Sequence, residues 1–124
     1  MAFINECHCR FICLIGFEAF DTVVAGDEVT RPKPFPDPYL QAAEALGVDI
    51  RDTVSIEDSP TGVRSAVAAG GAVLAVPHMV SLVGLGAHHI LDSLEQATPG
   101  SLAELVSAHR GASSEVAPDA EPRA

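Results

Sequence analysis

Ser55-Ile56-Glu57-Asp58-Ser59-Pro60-Thr61-Gly62 is the stretch on which the fold turns. Thr53-Val54-Ser55-Ile56 before it is short and β-branched, as a strand is. Pro60 suits the first helical position, where a missing N–H costs nothing, and Ser59 is placed to cap that helix. Val63, Ala66, Val67 and Gly70 follow as an apolar helical stripe, and Gly70-Gly71 stops the helix. Ala72-Val73-Leu74-Ala75-Val76 is continuously apolar, the pattern of a strand covered on both faces. The unit is βαβ, with Glu57 and Asp58 at the carboxyl end of its first strand, where open α/β sheets place ligands.

Upstream, Phe20 to Ala25 reads as another strand and Gly26-Asp27-Glu28 as the turn leaving it. Arg31-Pro32-Lys33-Pro34-Phe35-Pro36-Asp37-Pro38 follows. Its prolines fix φ and bias each preceding residue away from helix, so the loop around Lys33, the only lysine of the chain, is stiff. Asp37 is expected to cap a helix with Tyr39, Ala42, Ala43 and Leu46 on its apolar face and Gly47 as its stop. The pattern predicts parallel strands at 22–25, 53–57 and 72–76, joined by right-handed crossover helices at 38–46 and 60–69.

The ends are less regular. Residues 1–13 read as an irregular leader. Cys7, Cys9 and Cys13 lie within it and no second cluster at zinc-site spacing accompanies them, so their role stays open. Leu14-Ile15-Gly16-Phe17 reads as a helix end. Beyond Val76, Pro77 breaks the strand, and Ser81 to Ala87 is expected to be loop with some helix. His89-Ile90-Leu91 is a short last strand, Ser93 to Gln96 a helical turn, and Ser101 to His109 a short helix. Residues 110–124 carry no apolar periodicity and are expected to be disordered.

Composition narrows the function. The 124 residues fit one domain, and 48% hydrophobic content supports a packed core. The formal net charge is −10, and the pI is about 4.6. Nucleic acid and anionic membranes are thereby disfavoured as partners, because both need clustered Lys and Arg. A metal cation is favoured. No apolar run reaches the roughly 18 residues of a membrane span, and no signal peptide is evident. Three cysteines, an odd count, point to a reducing, cytoplasmic setting.

Two adjacent carboxylates at a strand end suit Mg²⁺, which takes hard oxygen ligands and bridges to phosphate. A helix N-terminus and a fixed lysine suit the phosphate. The same carboxylates also serve as helix-dipole complements, and a lone lysine as a solvated surface group.

The order of motifs is more specific: strand, Gly-Asp, Arg-Pro-Lys-Pro-x-Pro-Asp-Pro-Tyr, helix, Gly, strand, Glu-Asp-Ser-x-x-Gly, helix, Ala-Gly, strand. From about Leu14 to Glu95 it resembles the haloacid dehalogenase superfamily, in the branch of β-phosphoglucomutase and phosphoglycolate phosphatase. The resemblance implies an α/β fold: a partial Rossmann-like, three-layer parallel sheet over residues 14–109. It implies that Lys33 is the catalytic, phosphate-binding lysine, and that Glu57 and Asp58 anchor Mg²⁺, with Asp58 the direct ligand. It further implies hydrolysis of a phosphate ester, with a small phosphorylated metabolite as substrate.

The family's first motif is Asp-x-Asp, whose first aspartate is the nucleophile. No Asp-x-Asp occurs in this chain. The second motif, a Ser or Thr ending another strand, has no match among the 19 residues before Phe20. The expectation is therefore a C-terminal half, inactive alone, lacking nucleophile strand and cap. The cap selects the substrate in this family, so substrate identity is not legible. The Thr53–Glu57 strand would then keep an open edge that invites self-association. Two alternatives stand beside this reading. One is a non-catalytic binding or dimerising remnant of the fold. The other is a response-regulator receiver domain, disfavoured because there the lysine follows the acidic residues, whereas Lys33 precedes Glu57 and Asp58.

Overall fold

In the computed structural model, residues 2–5, 20–25 and 28–116 are described, without the side chains of 2–5 and 113–116. Among the described residues five strands are present: β1 (Ala2–Asn5), β2 (Thr22–Ala25), β3 (Val54–Glu57), β4 (Ala72–Ala75) and β5 (His89–Ile90). Three α-helices accompany them: α1 (Asp37–Leu46), α2 (Pro60–Ala69) and α3 (Pro99–Val116). Short 3-10 turns lie at Ile50–Asp52 and Leu94–Gln96. Every strand pairing is parallel. β1 pairs with β2, while β3, β4 and β5 form a second sheet in that order. The mixed α/β architecture is the one the motif order implied.

The register of the second sheet sets the layers. Ser55 pairs with Val73 and Glu57 with Ala75. Side chains alternate across a strand, so these four share one face. Val73 and Ala75 join Val63, Ala66, Ala69, Tyr39 and Leu82 in the buried core, which places α2 on that face. Leu74 points the other way, into a cleft shared with Leu105 and Ala108 of α3. Helices thus cover both faces, and all four β4 residues are buried. A strand apolar at every position needs this arrangement. α1 packs on β1, β2 and α2.

Helix α2 follows its sequence closely. Ser59 is extended and its Oγ accepts the Gly62 N–H at 3.1 Å. Gly70 ends the helix at φ 98°, a conformation that strains any residue with a Cβ. At Gly71 the limit is space, since a Cβ there would lie 2.7 Å from the Ile50 carbonyl oxygen and from Thr53 Oγ1.

Three expectations are corrected. Residues 2–5 of the supposedly irregular leader form β1, in register with Thr22–Ala25. Ala-Phe-Ile-Asn is too short for alternation to declare itself, and the adjacent parallel strand supplies the pairing. Asp37 does not cap α1. The capping position is Pro36, with no side-chain bond, and Asp37 sits in the first turn paired with Arg31 at 3.0 Å. The tail expected to be disordered from residue 110 continues α3 to Val116. Periodicity is weak there, but His109 Nε2 lies 2.7 Å from the Gly70 carbonyl oxygen and Arg110 pairs with Asp52, which ties the helix down. The helix end at Leu14 to Phe17, Cys7, Cys9, Cys13 and the Gly26-Asp27 turn lie outside the described residues, as do 117–124.

The capping bond gives a direct test. Ser59→Ala should cost about 1 kcal/mol of stability with an unchanged denaturant slope, read from urea unfolding followed by circular dichroism.

Candidate functional site

Glu57 is the last residue of β3, and the alternation that buries Ser55 and Val73 also turns its carboxylate inward, toward α2. There it lies against Gly62 in the first turn of α2. A Cβ on Gly62 would fall 1.9 Å from Glu57 Oε2. Only glycine at this position lets the carboxylate fill that place.

The partner of Glu57 comes from the proline-rich loop. Lys33 Nζ donates to Glu57 Oε1 at 2.7 Å, with side chains only 10% and 8% exposed. The ammonium also stands 5.4 Å from the centre of the Tyr39 ring, on its way into α1. Two turns fix the loop. Phe35 N–H bonds to the Pro32 carbonyl at 3.0 Å, and Tyr39 N–H to the Pro36 carbonyl at 3.1 Å. A third tie crosses to α2, where the fully buried Ser65 donates its hydroxyl to the Phe35 carbonyl at 2.5 Å. Sequence reading missed Ser65. The signal was a hydroxyl on the apolar face of α2, which has to find a partner when buried.

Asp58, one residue beyond β3, is exposed. With Ile56, Glu57, Val76, Pro77, His78 and Asp92 to Leu94 it lines a cleft of about 440 Å³ at the carboxyl end of the sheet. Lys33 is not among the lining residues; it reaches the site through Glu57. Lys33 and Glu57 are thus brought into direct contact, with Asp58 beside them on the open side. His78, Asp92 and Ser93 enter the same cleft from loops that no motif marked.

Burial pushes the Glu57 carboxyl above its ordinary value of 4.5. The Lys33 ammonium and its hydrogen bond pull the other way, and the charge of Asp58 adds to the rise. The net shift is upward, so desolvation outweighs the ion pair. A carboxyl with a raised folded value binds more protons folded than unfolded. Its contribution to stability is therefore complete below about 4.5 and is lost as pH rises through the folded value.

The chemistry of the donor set is that of a hard cation. Asp58 and Glu57 both line the cleft, and one Glu57 oxygen, Oε1, is taken by Lys33. Mg²⁺ is commonly held by one or two carboxylates, with water and phosphate completing the shell, and these residues fit that partial role. Among the described residues no group of three or more His, Cys, Asp or Glu converges on one point, so Glu57 and Asp58 would supply only part of a shell.

Comparison with known proteins bears on this site. The sequence profile of the haloacid dehalogenase-like hydrolases matches residues 8–76, spanning the Lys33 loop, Glu57-Asp58 and β4. The chain belongs to that family. It is 40% identical over 86 residues to hexitol phosphatase A of Escherichia coli (strain K12), covering 68% of this chain and 40% of that protein. The crystal structure of CbbY from Rhodobacter sphaeroides in complex with phosphate superposes with a TM-score of 0.63 at 34% identity, over 68% of this chain and 39% of CbbY. A family IA hydrolase from Entamoeba histolytica HM-1:IMSS superposes with a TM-score of 0.73 at 22% identity, covering 86% of this chain and 52% of its own, and bears on the fold alone. The chain thus spans about half or less of the relatives it matches.

Two substitutions test the contact at the centre of the site. Lys33→Met should move the Glu57 titration midpoint further upward, because both influences of Lys33 oppose the rise. Gly62→Ala should leave the fold intact yet drive the Glu57 carboxylate off its seat, separating it from Lys33. Carboxyl-carbon NMR titration of Glu57 reads both.

Proposed function

We propose that Lys33, Glu57 and Asp58 form the charge-stabilising part of a phosphatase-type site acting on a phosphate ester with Mg²⁺. The observation that carries this reading is the buried Lys33–Glu57 contact, 2.7 Å long, at the carboxyl end of β3 beside the first turn of α2. Hexitol phosphatase A among the relatives, and the phosphate bound to CbbY, support the reaction class.

Lys33 would bring a fixed positive charge to the non-bridging oxygens of the phosphoryl group, where charge develops during transfer. Its loop, tied by Pro32, Phe35 and Ser65, holds that charge with little reorganisation. Glu57 keeps the ammonium in place, and Asp58 with Glu57 would hold the Mg²⁺. When bound, the metal supplies charge neutralisation and alignment of the phosphate. The Asp58 carboxylate faces the open cleft, whose other wall, Asp92 and Ser93, contacts whatever extends from the phosphate.

The covalent route of this family needs a carboxylate nucleophile, and no Asp-x-Asp occurs in the chain. We therefore infer that this chain alone binds phosphate without turning an ester over, and that a partner segment carrying the nucleophile completes it. Among the described residues β3 pairs on one side only, so such a strand would find an edge there. A second reading, a binding module of this fold, is favoured by the closure of Lys33 on Glu57, which neutralises the cation internally.

The isolated chain should show no Mg²⁺-dependent hydrolysis of p-nitrophenyl phosphate above background. Mixed with the Asp-x-Asp-bearing N-terminal half of a relative, it should gain turnover. In that complex Lys33→Ala should lower kcat by about 100-fold or more, and Asp58→Asn should raise the Mg²⁺ needed for half-maximal rate. Turnover by the purified chain alone that vanishes in Asp58→Asn would overturn the assignment of a missing nucleophile. An inert complex that still binds inorganic phosphate through Lys33 would favour the binding module.

A further inference from the structure

We propose that His88 and His109 form a proton-sensitive latch that holds β5, and with it the Asp92–Leu94 wall of the cleft, against β4. β5 is only two residues long, and its attachment to β4 is correspondingly slight. The His88 N–H donates to the Val73 carbonyl at 2.9 Å, and the Leu91 N–H donates to the Ala75 carbonyl at 2.9 Å. The remaining Val73 N–H has no backbone acceptor from β5. The imidazole of His88 fills the gap: its Nδ1 accepts the Val73 N–H at 2.9 Å. A side chain thus stands in for a missing rung of the ladder.

That bond exists only while Nδ1 is unprotonated. Protonation places an N–H against an N–H, which removes the acceptor and sets two donors face to face. His109 of α3 meets His88 edge-on with ring centres 4.4 Å apart, and its Nε2 lies 2.7 Å from the Gly70 carbonyl oxygen. The His109 contact asks Nε2 to donate to the Gly70 carbonyl, whereas the His88 contact asks Nδ1 to accept from Val73.

The charged groups around the pair are few. β4 contributes only Ala72, Val73, Leu74 and Ala75. α3 contributes His109, Arg110 and Glu104, the last lining the cleft between α3, β4 and β5; Arg110 is paired with Asp52 of the 3-10 turn, beside the Asp49–Arg51 pair. α2 contributes the Gly70 carbonyl, and His89, next in the chain, is exposed. Burial, and then the proximity of His109, lowers the His88 value below its ordinary 6.5. The folded chain thus binds fewer protons at this group than the unfolded chain. The stabilisation is complete above about 6.5 and is lost as pH falls through the folded value.

With that bond lost, β5 keeps its short ladder with β4 and the flanking His88 and Leu91 backbone bonds, and the residues that follow it carry Asp92, Ser93 and Leu94 into the cleft. Acid would loosen that wall and leave Lys33 and Glu57 seated. The consequence for phosphate rests on the reading of the cleft given above; the latch itself rests on β4, β5 and α3, and its test needs no ligand.

Amide hydrogen exchange of the full chain, corrected for intrinsic rates, is compared at about pH 7.5 and about pH 5. Protection of Val73, His88 and Leu91 should fall by about tenfold or more in acid, while α2 amides such as Val63 stay protected. In His88→Asn the side-chain oxygen takes the place of Nδ1 without titrating, so protection should be equal at both pH values. Equal protection in the unaltered chain, or a parallel fall in His88→Asn, overturns the latch. Should His88→Asn fail to fold, imidazole nitrogen shifts of the unaltered chain decide. An unprotonated Nδ1 at neutral pH with a midpoint below 6.5 supports it, and a protonated Nδ1 at neutral pH overturns it.

Discussion

A buried ammonium and a buried carboxylate, 24 residues apart in sequence and 2.7 Å apart in space, hold the carboxyl end of the sheet to the proline-rich loop. Taking both charges from water is costly, and their mutual attraction offsets that cost only with good geometry and further hydrogen bonds. The rise in the Glu57 value shows how near the balance lies, since burial outweighs even a lysine in direct contact. Removing Lys33 leaves the buried Glu57 carboxyl without its salt-bridge partner. The loop after β2 and the end of β3 are therefore bound to one another.

The surroundings read as supports for that contact. Gly62 leaves room for the Glu57 carboxylate, and Ser59 satisfies the Gly62 N–H, fixing the first turn of α2 beneath it. Ser65, one turn further along α2, holds the Phe35 carbonyl and thereby the loop that carries Lys33. One helix thus positions both partners. α2 is itself fixed by Val63, Ala66 and Ala69 against Val73 and Ala75, so the stability of the core and the precision of the site are the same set of contacts.

The cleft beyond this pair is built differently. Glu57 and Asp58 stand on the end of a strand covered by helices, but the opposing wall hangs from β5, two residues long and joined partly through an imidazole. A rigid charge-bearing side therefore faces a side whose local stability is lower, as regions with few backbone bonds are. The arrangement concentrates order where charge must be held.

The βαβ unit was legible because its signals are local. Pro60 after Ser59, the stripe from Val63 to Val67, Gly70-Gly71 and an unbroken apolar run each act through their own backbone or immediate neighbours. Lys33, Glu57 and Asp58 were legible as a motif, since stiff prolines and paired carboxylates are written in sequence. Other features depended on partners remote in the chain. β1 needed β2 beside it, and the last turns of α3 needed Gly70 and Asp52. Asp37 was drawn from capping to Arg31. Sequence determined which residues carry charge and where β3, α2 and β4 begin and end, because propensity, capping and φ are properties of a few consecutive residues. Tertiary structure alone decided that Glu57 closes on Lys33, that Ser65 holds the loop and that His88 completes a ladder, because each is a hydrogen bond between segments that only packing brings within 3 Å.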